Sequence, residues 1–579
     1  MSAAFRVASW LVKPTLNIIS GKGTTAHLEP KVMEVLVCLA DHAGEAVSKE
    51  ELVQTVWPDT FVSDDSLKRC IFELRRVFDD DAREPSIIET IAKRGYRLIA
   101  TIDRSTVAAP SAPTPSLTRD SIAVLPFVNI SADPENEFFA DGITEEIINA
   151  LAHIPELYVA ARSSAFSFKG KHVDPRVIGE QLKVRTILEG SVRRAENCLR
   201  ITAQLVNAGD GYHLWSERYD RESKDIFEIQ DEIARSIASR LKLSLEAKSQ
   251  EALVKPGTTS VEAYSLYAKA RALMYRRGAM ILLALECLKQ AVAIDPDYAL
   301  AWAGMADTYA LLGLYGFVHP EMSRPKWREA ANHALAADES LAEAHSAVAF
   351  GSLMYELDKA EAEREFLRAL ELNPRYIQAR DFYALFCLQL AAGQLADGVE
   401  HAKLALDADP LSSYAHSVAS LTFMCAGIHS RAVQSAQRAI ELDSESFLPR
   451  WSLQSALYRS GQFDQAVAAA QTALAMSGRH PWAMAILALT LADWGKTLEA
   501  EAVYLELLAR ARREYVLPST LALAATAAGQ SDNATMTHVR EAVSIHDPYS
   551  IPAFSSYWVG AHLRADSRID QFLKEHGID

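Results

Sequence analysis

Residues 63–99 read SDDSLKRCIFELRRVFDDDAREPSIIETIAKRGYRLI, and the fold of the amino-terminal part follows from them. Leu67, Ile71, Leu74 and Phe78 recur at helical spacing, which predicts one apolar stripe on a helix running from Ser63 to about Phe78. At 100° per residue the opposite face carries Asp65, Arg69, Phe72 and Arg76, with Lys68 and Arg75 on the flanks. A helix seated in a DNA major groove presents base-reading side chains on such a face and phosphate-binding ones beside it. After an acidic turn, Ile87–Ile91 and Tyr96–Ile99 read as two strands joined by Ala92-Lys93-Arg94-Gly95, a hairpin with a basic tip. Lys93, Arg94 and Arg97 are its candidate contacts to the DNA backbone.

Working outward, residues 5–28 read as short strands, FRVASWLV and LNIIS, interrupted by Pro14 and the Gly21-Lys22-Gly23 turn. From Pro30 the period becomes helical through Val32, Val35, Leu36 and Leu39, and Gly44 stops it. Ser48 followed three residues later by Glu51 is a capping-box pattern for a second helix that ends near Trp57-Pro58. The stretches W10-L-V-K-P-T-L-N17, L28-E-P-K31, G44-E-A-V-S-K-E-E-L52, V56-W57-P58 and I88-E-T-I-A-K-R-G-Y-R97, with the helix above, resemble the OmpR/ToxR-type winged helix-turn-helix, its CadC-like branch in particular. That resemblance implies a recognition helix over 63–78 in the major groove and a wing at the minor groove. It also implies a loop over 57–62, with Asp59, Thr60 and Phe61, that faces RNA polymerase. On this reading neither a receiver domain before the helices nor a membrane span after them is expected. Residues 105–119 are instead a Pro/Ala/Ser/Thr linker of semi-extended character.

The chain of 579 residues carries a net charge of −16, which counts against nonspecific nucleic-acid binding by the whole molecule. Residues 1–102 hold thirteen Lys and Arg against fifteen Asp and Glu, so a DNA reading rests on where the charges sit. A hydrophobic fraction of 49% excludes wholesale disorder, and no run approaches the roughly 20 apolar residues of a membrane helix. The start of the chain lacks a secretory pattern, which points to the cytoplasm. Six cysteines without a C-x-x-C pair read as reduced thiols.

From Ser121 strands and helices alternate, predicting a mixed α/β domain closed by a long helix over 226–245. The strings S121-I-A-V-L-P-F127, F139-A-D-G-I-T-E-E146, G190-S-V-R193 and L214-W-S-E-R-Y-D220 resemble the TolB amino-terminal-like module. Asp141, Glu145 and Glu146 are read as a helix cap and dipole partners rather than metal ligands. Beyond Gly257 a motif returns: A291-V-A-I-D-P, A334-L-A-A-D, A369-L-E-L-N-P, A405-L-D-A-D-P, A439-I-E-L-D-S and A473-L-A-M-S-G. Its alanines stand 43, 35, 36, 34 and 34 residues apart, the tetratricopeptide period with one insertion near Gly313 to Pro325. This part resembles tetratricopeptide repeats, whose solenoid offers a concave face to a protein or peptide partner or to a second copy. No convergent polar pocket for a small molecule is legible there.

The expected fold is therefore multidomain, α+β and all-α: a winged helix-turn-helix over 1–104, the linker over 105–119, a TolB amino-terminal-like α/β domain over 120–250, and an α-solenoid of tetratricopeptide repeats over 258–579. The expected function is a sequence-specific regulator on double-stranded DNA, with no catalytic residues, metal or cofactor. The competing readings are an enzyme related to nucleotide cyclases and a scaffold whose winged helix does not read DNA. No phosphate loop, nucleophile elbow or paired metal-binding aspartates support the enzyme.

Overall fold

The computed structural model describes residues 5–103 and 120–578, apart from 9, 14–17, 22–23, 29, 57–63, 79, 82–84, 92–93, 132, 134–135, 153, 155, 196–197, 223–224, 242–256 and 279. The chain divides into two compact units, Met1–Ser116 and Leu117–Asp579.

In the first unit, β1 (Phe5–Val7), β2 (Trp10–Lys13), β3 (Ile18–Gly21) and β4 (Thr24–His27) form an antiparallel meander. The expected single strand FRVASWLV is two strands, because Ala8 takes φ 51 and folds β1 back on β2. Then come α1 (Pro30–Asp41), β5 (Ala46–Ser48), α2 (Lys49–Val56) and α3 (Asp64–Phe78), followed by the hairpin of β6 (Ile88–Ile91) and β7 (Gly95–Leu98). A last strand, β8 (Ile102–Asp103), returns to β1. Val35, Leu36, Leu52, Leu67, Ile71 and Leu74 close one core between the helices, and Trp10 meets Phe78 edge-to-face at 5.8 Å, tying the meander to α3. Ser48 caps α2 by accepting the Glu51 amide at 3.1 Å, as the capping pattern predicts.

The second unit opens with a mixed sheet. Its path is β11 (Tyr158–Val159), β9 (Ser121–Val124), β12 (Thr186–Ala195), β13 (Cys198–Asn207) and β14 (His213–Glu222), and β10 (Val128–Asn129) extends the β9 edge along β12. Strand β14 has only Trp215 and Tyr219 buried, four residues apart, so its sequence lacks the alternation that announces a strand. α4 (Asn136–Ala152) and α7 (Ile226–Arg240) cover one face, and α5 (Arg162–Phe166) and α6 (Pro175–Leu182) lie on the other side of the chain order, with Ile178 and Leu182 packed on Ile187.

Helix α4 begins at Asn136, so Asp141 lies inside it and is not its cap. It is buried on nearly every side because it packs on the sheet and also on the first repeat helix, α8 (Val261–Arg276). Gly142 makes that approach possible: a Cβ there would sit 2.7 Å from the Ala268 Cβ. Asp141 pairs with Lys169 at 2.6 Å. Glu145 accepts from Arg162 at 3.0 Å and from Arg271 of α8 at 2.6 Å.

Eight helical pairs follow among the described residues, from Val261–Arg276 with Met280–Ile294 to Pro518–Ala527 with Asp532–Ser544. The motif alanines Ala291, Ala334, Ala369, Ala405, Ala439 and Ala473 are all fully buried on the second helices, where only a methyl fits between neighbours. The insertion near Gly313 widens the turn inside the second pair and lengthens its second helix, Pro320–Ala337, to 18 residues. The Asp or Asn that ends the motif closes a tight turn at Asp295, Asp338, Asn373 and Asp443, each side-chain oxygen accepting the amide two residues on. Asp409 breaks the rule: its carboxylate takes the hydroxyls of Ser163 and Ser164 and the Ser164 amide, and the amide two residues on, Leu411, donates to the Ser164 hydroxyl instead. The motif acid diverted from its own loop thus adds a tie between the repeats and the α/β part to those made by α8.

A simple solenoid contacts only neighbouring repeats. Here the array curls until its second pair meets its seventh: Tyr315 stacks on Trp482 at 4.7 Å, and Trp482 on Tyr549 at 4.8 Å. Asp381, on the fourth pair, is fully buried with both carboxylate oxygens unpartnered, and burial, then the nearby Asp409, pushes its carboxyl well above the usual range. A raised folded value favours folding while the acid is protonated and opposes it as pH rises above the unfolded value of about 3.9. Asp381→Asn is therefore expected to raise the thermal midpoint near about pH 8 and to lose that gain toward about pH 4. Calorimetry at both values checks it.

Among the described residues no helix is long and apolar enough to cross a membrane, and no group of three or more His, Cys, Asp or Glu stands placed to hold a metal. All six cysteines are free thiols, four of them buried.

Candidate nucleic-acid interface

α3 is amphipathic along its described length. Leu67, Ile71, Leu74 and Phe78 are buried, whereas Lys68, Arg69, Phe72 and Arg76 are exposed. Phe72 is 67% exposed, an unusual place for a large aromatic side chain on a helix with an available core face. The Arg69 side chain is 70% exposed, with its Nε 3.6 Å from Glu73. Arg69, Phe72 and Arg76 thus share one solvent face.

Arg75 differs from the expected phosphate contact. Its side chain is only 15% exposed, and its Nη2 donates to the Ile88 carbonyl at 2.8 Å and the Thr90 hydroxyl at 2.9 Å. It staples α3 to the hairpin. Asp80 does related work one turn later, accepting the amides of Ser86 at 2.7 Å, Ile87 at 3.0 Å and Ile88 at 2.9 Å, and the Ser86 hydroxyl at 2.9 Å. Burial opposes its charge, but these donors outweigh burial and hold its carboxyl below the usual range. Neither role is legible in the run Asp79-Asp80-Asp81, because the donors lie across the turn.

The hairpin is part of a three-stranded sheet in which β5 pairs with β7 and β7 with β6. Gly95 stands at φ 146 where a Cβ would fall 1.9 Å from the Val47 carbonyl oxygen, so only glycine allows this crossing. Arg94 is exposed at the turn. Arg97 is partly exposed and donates to Glu89 across the strands at 2.6 Å. Asp59, Thr60, Phe61 and Lys93 lie outside the described residues, as does the side chain of Asp65.

Asp80→Ala is expected to destabilise the first unit by at least about 1–3 kcal/mol, since several buried amides lose their acceptor. With a depressed folded value, the Asp80 contribution is full above about pH 3.9 and is lost as pH falls through the folded value. Denaturation of wild type and variant, converging in acid, checks the sign.

Residues 23–98 match the family described as transcriptional regulatory protein, C terminal. The first unit has a winged-helix fold and is similar to the OmpR/CadC type, and in the second unit an α/β part is followed by paired helices at the tetratricopeptide spacing. A Rhizobium meliloti protein provisionally named adenylate cyclase 3 is 40% identical over 263 residues, 43% of this chain and 43% of its own. That stretch is longer than the first unit and so reaches into the second. Transcriptional activator CadC of Escherichia coli is 40% identical over 98 residues, 17% of this chain and 19% of its own. Transcriptional regulator HilA of Salmonella typhimurium is 24% identical over 398 residues, 66% of this chain and 67% of its own. The chain spans less than half the length of the first two of these relatives.

Proposed function

We propose that the chain is a sequence-specific DNA-binding transcription regulator whose α3 enters the major groove. The observation that carries this reading is the solvent face of Arg69, Phe72 and Arg76, opposite a fully buried apolar stripe, on the third helix of a unit matching regulator DNA-binding domains. Asp65 joins that face by helical spacing. Lys68, Lys93 and Arg94 neutralise phosphates, while Arg97, shared with Glu89, reaches the minor-groove edge. Arg75 acts on DNA through the hairpin it positions. Footprinting on the full chain at graded salt tests the proposal: a bounded footprint that survives competitor DNA supports it, and uniform salt-sensitive coating or none removes it.

The functional division follows the order 1–104 for DNA, 105–119 as linker, and 120–250 and 258–579 for signal or partner binding and assembly, in the cytoplasm and without catalysis. The repeats take a protein or peptide partner or a second copy of the chain. Asp59, Thr60 and Phe61 face RNA polymerase. Phe61→Ala is expected to lower transcription from a bound promoter several-fold while operator affinity stays within about twofold, a change too small to reflect the loss of a base contact. In vitro transcription beside a gel-shift titration checks it.

A cyclase reading has one observation in its favour, the relative named for that activity. The shared stretch extends beyond the DNA-binding unit, so it supports a common accessory region as readily as a common reaction. Release of cyclic nucleotide from ATP by the purified chain would establish the enzyme.

A further inference from the structure

A chamber of about 460 Å³ lies between the α/β part and the repeats, within the size range of small-molecule sites. α4 and α5 wall one side; α8 and the first helices of the fourth, fifth and sixth repeat pairs wall the other. Behind it, sharing Arg277, Tyr414 and Leu448 as lining, is an apolar recess of about 40 Å³, larger than the space one water needs.

The cations of the chamber are not equivalent. Arg162 and Arg271 are both engaged by Glu145, and Arg375 donates to the Leu157 carbonyl. Among the described residues Arg277 makes no ion pair and no side-chain hydrogen bond; its guanidinium lies over the Tyr414 ring at 4.6 Å. Its backbone takes φ 58 and ψ −170, a conformation nearly reserved to glycine and kept in proteins chiefly where function demands it.

The recess shows the same imbalance. Trp451, Trp482, Tyr549 and Trp558 line it, each at least nine-tenths buried, and the three indole nitrogens and the Tyr549 hydroxyl have no hydrogen-bond partner among the described residues. An indole N–H only donates, and buried donors ordinarily find acceptors. No carboxylate is among the described residues lining the recess. In the chamber, burial and then the Glu145 charge push Glu146 up to about 8, so it holds its proton near neutrality. Glu145, Glu343, Asp409 and Asp443 also line the chamber, but among the described residues the Arg277 guanidinium and the indole N–H groups are left without a hydrogen-bonding acceptor where chamber and recess meet.

We propose that chamber and recess form one binding site for a small organic acid with a compact aromatic or aliphatic body, its carboxylate on Arg277 and its body against the tryptophans. Such a ligand adds contacts on both sides of the junction and stabilises the second unit by mass action. The proposal extends the regulatory reading by naming its signal, yet it is tested by ligand binding alone, so a failure of DNA binding leaves it untouched.

Isothermal titration of the full chain with benzoate, phenylacetate and hexanoate tests it, with benzamide and benzylamine as neutral and cationic counterparts. At least one acid is expected to bind saturably at one site per chain, and about tenfold or more tighter than benzamide or benzylamine. Arg277→Gln should weaken that acid by a similar factor, while Arg277→Lys, which keeps the charge, should retain most of the affinity; circular dichroism and the thermal midpoint verify that both variants fold. Absence of saturable binding by all three acids, benzylamine binding as tightly as the acid, or equal affinity in a folded Arg277→Gln protein would overturn the proposal.

Discussion

Replacing Arg69 or Arg76 with alanine is expected to weaken binding to the cognate site by about 1–3 kcal/mol each and to relax base preference at one position apiece. Both side chains are exposed on α3, away from Leu67, Ile71 and Leu74, so their removal leaves the core of the first unit intact. Stability and binding therefore separate cleanly in these variants. Lys68→Ala and Arg94→Ala make the complementary control, since removing a cation that neutralises a phosphate lowers affinity across all sequences and flattens the salt dependence. Selection of binding sites with each variant reads the two effects apart. Unchanged preference in both arginine variants would take the reading role from this helix face.

Trp482→Ala is expected to cost the second unit about 3–5 kcal/mol, the usual range for deleting a buried large aromatic. The indole stacks on Tyr315 and Tyr549 and packs against Trp451 at 5.1 Å, so one deletion loosens the second, sixth and seventh repeat pairs and the segment beyond the eighth. In an open array the damage would stay with neighbouring repeats and broaden the transition. Here the curled array should lose its midpoint as one body, by several degrees, without a new early phase. Differential scanning calorimetry checks this; a separate low-temperature transition would contradict the closure. Because the first unit has its own core, its unfolding should not shift.

What was legible in the sequence was what local spacing encodes. The stripe Leu67, Ile71, Leu74 and Phe78, the Ser48 cap and the recurring alanines each depend on residues within a turn or on a repeated environment, and each stands in the structure as read. What was not legible depends on partners far along the chain. Arg75 reads as one more exposed cation until Ile88 and Thr90 are placed beside it. β5 exists only because β7 lies next to it, and β14 has too few buried residues to declare itself. The group Asp141, Glu145 and Glu146 resembles a helix start because acids favour that end, but the true start lies five residues earlier and the acids face a repeat helix and a loop. The chamber is the extreme case. Its walls join residues from Gly142 to Pro449, a convergence that no periodicity records.

The central claim is that α3 reads DNA sequence. Selection of bound duplexes from a random pool by the full chain, at salt high enough to suppress nonspecific contacts, tests it most directly. The expected result is a discrete enriched motif that vanishes in the Arg69→Ala, Arg76→Ala double variant while the folded state persists. A wild-type chain that enriches no sequence, or a double variant that enriches the same motif equally well, would contradict it.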